Sequence, residues 1–281
     1  MANYTYLVPP FTTTTFTSPV AGTDDVITAN VLADFTINGN GGNDVVRTAG
    51  GNDTITTGSG NDVITAGDGD NTVTAGDGTN AVTTGSGDDT ITTGTGADVV
   101  NSGSGNDIIT TGGGNDRINS GGGNDSIKSG GGNDRIISGG GNDKVNAGTG
   151  NDRITPGGGV DALIGGGGHD TFVYGSLADA RLGADTISDF STSNPTGAGE
   201  GDMLYLQGLV DDFTGLQGGS LAQLVASGHF DFSAGGGGTV ISFDSNGSAA
   251  GGSIGVLATL VGVPFTNEGA SALAFGDNIL V

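Results

Sequence analysis

The sequence predicts an all-β chain whose middle is a right-handed parallel β-roll, a solenoid of stacked nine-residue turns. Three observations carry this prediction. A nine-residue unit, x-G-x-G-x-D-x-U-x with U a large apolar residue, runs fifteen times without a break from Gly39 to Val173, and its clearest copies are SGGGNDSIK (120–128), SGGGNDRII (129–137) and SGGGNDKVN (138–146). Its sixth position is aspartate in thirteen of those copies. Its eighth position is apolar in every copy, from Val46, Ile55 and Ile64 to Leu163 and Phe172. Such self-similarity outranks local propensity, because a short unit buries its apolar residue only by stacking on its neighbours.

Three segments follow in chain order: an extended N-terminal arm or cap (1–38), the roll (39–173) and a β-rich C-terminal block (174–281). In the arm, NYTYLVPPFTTTTFTSPV (3–20) combines β-branched and aromatic residues with Pro9, Pro10 and Pro19, which predicts an extended strand without a partner of its own. Two roles stay open for it. It caps the open end of the roll, or it adds to the edge of a neighbouring molecule, with Tyr4, Tyr6, Phe11 and Phe16 as partner-binding candidates.

Within the roll, glycines at positions two and four permit positive φ and let backbone carbonyls crowd toward one point. A carboxylate following such a turn completes a shell of hard oxygens, which is what a calcium ion requires, with six to eight oxygen ligands at about 2.3–2.6 Å. The candidate metal ligands are Asp44, Asp53, Asp62, Asp89, Asp98, Asp107, Asp116, Asp125, Asp134, Asp143, Asp152, Asp161 and Asp170. The three residues after each aspartate form a short strand with only its middle side chain inward. Two units make one coil, so units of equal parity stack about 4.8 Å apart and the array reaches on the order of 35 Å. Asp116, Asp134 and Asp152 then share one column, and Asp107, Asp125 and Asp143 the other.

The fourth and fifth units, AGDGDNTVT and AGDGTNAVT, place Asn71 and Asn80 where the carboxylates belong, with Asp68, Asp70 and Asp77 nearby. If each ion is shared by units of equal parity, roughly nine complete sites remain and about four are weakened, giving roughly 9–13 Ca2+ ions.

The chain holds 31 acidic and 7 basic residues, a formal charge of -24, and 60 glycines. That balance argues against nucleic acid and anionic membrane surfaces as partners. With 33% hydrophobic residues and no Trp, the metal-free repeats are expected to stay disordered until calcium supplies the missing free energy. The absence of cysteine excludes disulfides and thiolate metal sites. The opening MANYTYLVPPFTTTTF shows no basic region followed by an apolar stretch, so no cleavable signal is expected there.

The array resembles the RTX family of haemolysin-type calcium-binding nonapeptide repeats, which implies a β-roll holding calcium between successive turns. Beyond it the nine-residue period gives way to alternating segments. The order GHDTFVY (168–174), GADTISDF (183–190), GDMLYL (201–206), TVISFDSNG (239–247) and VLATLVGV (256–263), ending in Asp277-Asn278-Ile279-Leu280-Val281, resembles the C-terminal target domain of type I secretion substrates. That resemblance implies export in the unfolded state, by the type I apparatus of a Gram-negative bacterium, to the cell surface or the medium. It also implies Asp185, Asp189 and Asp202 as further calcium ligands, whereas Asp244 and Asn246 read as a hairpin turn.

No enzyme is expected. HExxH is absent, the two histidines (His169 and His229) are isolated, and Gly251-Gly252-Ser253-Ile254-Gly255 matches G-x-S-x-G without the strand-turn-helix setting a nucleophile needs. Surfaces for association remain. Arg117, Arg135 and Arg153 all occupy position seven of odd units and predict a basic stripe for lipopolysaccharide, acidic polysaccharide or an acidic neighbouring subunit. The plainer reading of these arginines is that they keep a strand face soluble. Lys128 and Lys144 fall on the opposite face, and repeats two to six instead present threonines, such as Thr54, Thr72 and Thr90 on one face. The expected function is a secreted structural protein that folds on calcium and self-assembles into a filament, surface layer or biofilm matrix. The alternative is an adhesin or effector that binds a glycan or membrane on another cell.

Overall fold

The computed structural model describes residues 2–6, 14–175, 184–191, 201–206, 230–235, 238–244, 254–261 and 279–280. Among these there are strands and turns but no helix. The chain forms two units, Met1–Ser138 and Gly139–Val281.

In the first unit the glycine turn bends the chain at every repeat, and the residues after it extend. Strands of odd repeats, Val45–Gly50, Val63–Gly67, Ala81–Thr84, Val99–Ser104, Arg117–Gly122 and Arg135–Ile137, pair in parallel in one sheet. Those of even repeats, Thr54–Thr56, Thr72–Gly76, Thr90–Thr93, Ile108–Gly113 and Ser126–Gly131, pair in parallel in a second. The register advances by two repeats per level, as in Ile55↔Val73, Val73↔Ile91 and Ile91↔Ile109. This is a parallel β-solenoid, and the eighth-position residues stack within it. Val46, Ile55, Val73, Ile91 and Ile109 have no exposed surface.

The core holds more than the pattern predicts. Besides the eighth-position residue, the first residue of the next repeat points inward: Thr57, Ser102, Thr111 and Ser120 are fully buried, as are Ala66 and Ala75. Each buried hydroxyl donates to the carbonyl of its equivalent one coil on, with Thr57 Oγ1 to Ala75 O at 3.0 Å, Ser102 Oγ to Ser120 O at 3.0 Å and Ser120 Oγ to Ser138 O at 2.7 Å. The expectation of one inward side chain per strand is therefore corrected to two. The second is small or hydroxylated because the turn leaves it little room and a carbonyl stands above it.

The N-terminal segment is not a strand without a partner. Ala2–Tyr6 pairs in parallel with Asp25–Leu32, and Thr14–Thr17 with Phe35–Asn38, so each adds to one of the two sheets. Phe16 is buried inside that coil instead of being presented to a partner. Tyr4 and Tyr6 lie on the first strand, and Phe11 lies outside the described residues.

In the second unit, parallel stacking continues past the last nine-residue repeat. Thr171–Val173 pairs with Met203–Tyr205, which pairs with Ile279–Leu280, while Ala162–Gly167 pairs with Asp185–Ile187, which pairs with Ile254–Val261. An antiparallel run of Ile254–Val261, Gly238–Asp244 and Phe230–Gly235 then closes that sheet. The core here is larger: Phe172, Tyr174, Leu204 and Leu206 are fully buried, with the Phe172 and Phe190 rings 6.0 Å apart. Residues 245–253, which include Asn246 of the expected hairpin turn, lie outside the described residues.

The turn glycines differ in what they tolerate. Gly105 sits at φ 132°, and a Cβ there would meet Gly87 O at 2.0 Å, whereas a Cβ on Gly113 would come no closer than 3.9 Å to Gly131 O. Gly105→Ala is accordingly expected to cost more than about 1 kcal/mol of calcium-loaded stability. Gly113→Ala should stay within about 0.5 kcal/mol, both measured by denaturant unfolding followed by circular dichroism.

Candidate metal centre

Each turn carries its aspartate to the inner edge of the stack, where the carboxylate does two different things with its two oxygens. Oδ1 accepts the backbone N–H of the sixth-position residue one coil earlier. In the first unit one such column runs Asp44 N to Asp62 Oδ1 (2.7 Å), Asn80 N to Asp98 Oδ1 (2.7 Å), Asp98 N to Asp116 Oδ1 (2.8 Å) and Asp116 N to Asp134 Oδ1 (2.8 Å). The other runs Asn71 N to Asp89 Oδ1 (2.8 Å), Asp89 N to Asp107 Oδ1 (2.9 Å) and Asp107 N to Asp125 Oδ1 (2.8 Å). The second unit repeats the link from Asp143 to Asp161 and from Asp152 to Asp170.

Oδ2 is the chemically decisive atom. In Asp44, Asp53, Asp62, Asp89, Asp98, Asp107, Asp116, Asp161 and Asp170 it is buried and receives no hydrogen bond. A buried anionic oxygen without a donor is unfavourable by several kcal/mol unless a cation or a proton compensates it. The two asparagines show what such an atom faces. Asn71 Nδ2 donates to Gly67 O (3.2 Å) and Gly69 O (2.8 Å), and Asn80 Nδ2 donates to Gly76 O (2.9 Å) and Gly78 O (3.2 Å). These are the carbonyls of positions two and four of the same turn. Where the frame carries aspartate, equivalence of position would put an oxygen in place of that amide nitrogen, facing the same pair of carbonyls. A cluster of oxygens with no proton among them is the donor set of a hard divalent cation, and calcium fits it. No three carboxylate or imidazole side chains converge among the described residues, so a bound ion would take its remaining oxygens from backbone carbonyls or water.

Burial acts on the carboxylates as that reading requires. It pushes Asp44 up to about 7, with charge repulsion from Asp62, Asp25 and Asp24 adding and the Asp25 N–H opposing. It pushes Asp161 and Asp170 up to about 6 and Asp185 up to about 7. Asp53, Asp62, Asp89, Asp98, Asp107, Asp125 and Asp134 are raised for the same cause.

Two sets of residues were not singled out from the sequence. Asp25 is fully buried, donates its N–H to Asp44 Oδ1 at 2.9 Å and leaves its own Oδ2 without a donor, so it heads the Asp44 column one coil before the repeats begin. It was missed because only Gly22 precedes it in the turn and its spacing to Asp44 is 19 residues. The fifth-position asparagines form a second ladder of opposite polarity: Asn43 Oδ1 accepts Asn61 N (2.7 Å), Asn106 Oδ1 accepts Asn124 N (2.8 Å) and Asn115 Oδ1 accepts Asn133 N (2.7 Å). Its signal is the recurring Asn-Asp pair.

Of the candidates beyond the repeats, Asp185 reproduces the column geometry, accepting Asp161 N at 2.9 Å with a buried Oδ2 that has no donor. Asp202 accepts Asp170 N (3.0 Å) on Oδ1 and Ser191 N (2.8 Å) on Oδ2. Asp189 spends its oxygens on Gly165 N (3.0 Å) and Gly166 N (2.7 Å), capping a turn. Asp68, Asp70 and Asp77 sit on the outside of their turns. In the basic stripe, Arg117 and Arg135 are exposed neighbours in register, and Arg153 Cζ lies 5.6 Å from the centroid of the Tyr205 ring.

A carboxylate whose pKa is raised in the fold contributes stability that is present below its unfolded value and lost as pH rises through the folded one. Metal-free protein should therefore gain β-structure by circular dichroism as pH falls from about 8 to about 5, losing it again between about 6 and 7 on the return. Saturating calcium should remove that dependence. Asp107→Ala should raise the calcium midpoint of folding severalfold, and Asp88→Ala, which removes only an exposed fifth-position acceptor of the Asn106 N–H, should raise it far less.

The match to a family model agrees with this geometry. Residues 36–55, 48–82, 74–109, 83–118, 110–145 and 137–172 match the family model of the RTX calcium-binding nonapeptide repeat (4 copies). No curated protein matches the chain. Among solved structures, the solution structure of the AlgE6R3 subunit from the Azotobacter vinelandii mannuronan C5-epimerase is similar at 28% identity and a TM-score of 0.36, over 58% of this chain and 80% of that one. With buried carboxylates aimed at turn carbonyls at successive levels, residues 36–172 of this chain are RTX calcium-binding nonapeptide repeats that form a β-roll binding multiple Ca2+ ions.

Proposed function

We propose that this protein is a secreted, non-enzymatic structural protein whose folding is switched on by extracellular calcium and which then self-assembles into a filament, surface layer or biofilm matrix. The observation that carries the reading is the stack of buried Oδ2 atoms without donors, which ties the fold to a supply of divalent cation. Modules built for the extracellular calcium range bind at about 10⁻⁴–10⁻³ M, so the chain stays open in the cell and closes outside it. Export through a type I apparatus, read from the C-terminal segment pattern, suits a chain held unfolded until that point.

Self-assembly is supported by the N-terminal end of the stack. Ala2–Tyr6 and Thr14–Thr17 are the first strands of their sheets, each with one neighbour among the described residues. An edge of that kind is a template for strand addition by a second copy. One observation favours the alternative of an adhesin or effector. Arg117 and Arg135 stand side by side on an otherwise acidic molecule, which suits lipopolysaccharide or an acidic polysaccharide.

Purified metal-free protein, titrated with calcium from micromolar to about 10 mM, should gain β-structure and ordered polymer together, read by circular dichroism, light scattering and negative-stain microscopy. A folded monomer at high protein concentration would overturn self-assembly. In that case retention on immobilised lipopolysaccharide, lost in an R117A/R135A variant, is the expected result of the alternative.

A further inference from the structure

We propose that Asn71 and Asn80 are amide surrogates for calcium, so that the coil of residues 66–83 closes both of its turns without an ion and divides the array into two calcium-binding blocks. The inference rests on calcium loading of the aspartate columns. It concerns the one coil that departs from them.

The substitution keeps one half of the aspartate's work and replaces the other. Asn71 Oδ1 still accepts Asp53 N (3.0 Å) and Asn80 Oδ1 still accepts Asp62 N (3.0 Å), so the link between coils is intact. The second atom has changed from acceptor to donor. Nδ2 of each asparagine bonds the carbonyls of positions two and four of its own turn, at 2.8–3.2 Å, where an aspartate would place an oxygen in need of a cation. Both side chains are buried at 1% exposure, and neither Nδ2 is among the buried polar atoms lacking a partner. The amide thus neutralises the carbonyl pair internally, and no charge has to be compensated.

The outside of the same coil is also tied without metal. Asp68 Oδ1 accepts both Ser86 N (3.1 Å) and Ser86 Oγ (2.8 Å), and Asp77 Oδ1 accepts both Thr95 N (2.9 Å) and Thr95 Oγ1 (2.9 Å). These carboxylates are solvated, and their pKa values are lowered by those hydrogen bonds, so they are satisfied as anions. Position three has thereby gained a side-chain clasp onto the following coil, at the level where the inner ions are missing.

Placement makes the pair consequential. Asn71 belongs to one column and Asn80 to the other, yet they occupy consecutive repeats and hence a single coil. Either one alone would leave the opposite column continuous. Together they interrupt both, leaving Asp25, Asp44, Asp53 and Asp62 before the break and the series from Asp89 and Asp98 after it. Backbone pairing crosses the break, whereas ligand sharing does not.

The test counts ions bound to the full chain at saturating calcium, by elemental analysis after gel filtration and by calorimetry, with circular dichroism as a folding control. N71D/N80D should bind up to about four more ions per chain than the natural sequence, one for each equal-parity pairing that the two asparagines interrupt. Equal counts in two folded proteins would overturn the proposal. Should N71D/N80D fail to fold, the reverse change decides: D98N should bind fewer ions than the natural sequence and keep its calcium midpoint of folding, while D98A, lacking the amide, should bind fewer ions and raise that midpoint severalfold. Identical behaviour of D98N and D98A would overturn it equally. A natural chain that takes up no calcium would overturn the calcium reading of the columns and this inference with it.

Discussion

The structure depends on an unfavourable contact: a buried carboxylate oxygen aimed at backbone carbonyls. Apolar burial alone is thin here, since most coils contribute two aliphatic residues, one to each sheet, with Ala, Ser or Thr beside them. A solenoid of that kind gains little from the hydrophobic effect per residue ordered, and glycine-rich turns lose much entropy on folding. The carboxylates deepen the deficit until calcium is bound. The same atoms that disfavour the fold as bare anions would favour it with metal bound, so the proposed switch and the scaffold are one set of side chains.

Each turn is held in two directions. The sixth-position carboxylate receives a backbone N–H from the preceding coil, and the fifth-position asparagine receives one from the following coil. Buried hydroxyls at position one add a third strand-to-strand link to the carbonyl of the next level. Coils are therefore joined by side chains as well as by backbone ladders. Glycine is needed where a Cβ would run into a carbonyl of the coil before, as at Gly105, and not at Gly113.

Much of this was legible in the sequence, for a physical reason. A period of nine fixes which residues superimpose, so the stacking of Val46, Ile64 and Val82 and the parity of the aspartate columns follow from the repeat alone. What could not be read depends on stacking without periodicity. Asp25 lacks the glycine frame, and only its link to Asp44 reveals its place. The arm's strands find partners in Asp25–Leu32 and Phe35–Asn38, pairings that no local pattern specifies. The asparagines at 71 and 80 looked like defects because a one-letter code shows a missing charge and hides the direction in which an amide points.

Beyond the last repeat, the link from one aspartate to the next survives a change in loop length. Asp161 joins Asp185 across 24 residues, and Asp170 joins Asp202 across 32. The number of residues between two linked aspartates is thus not fixed at eighteen, and a further insertion between them is expected to leave the link in place, so that a peptide carried there would depend on calcium only through the levels that flank it.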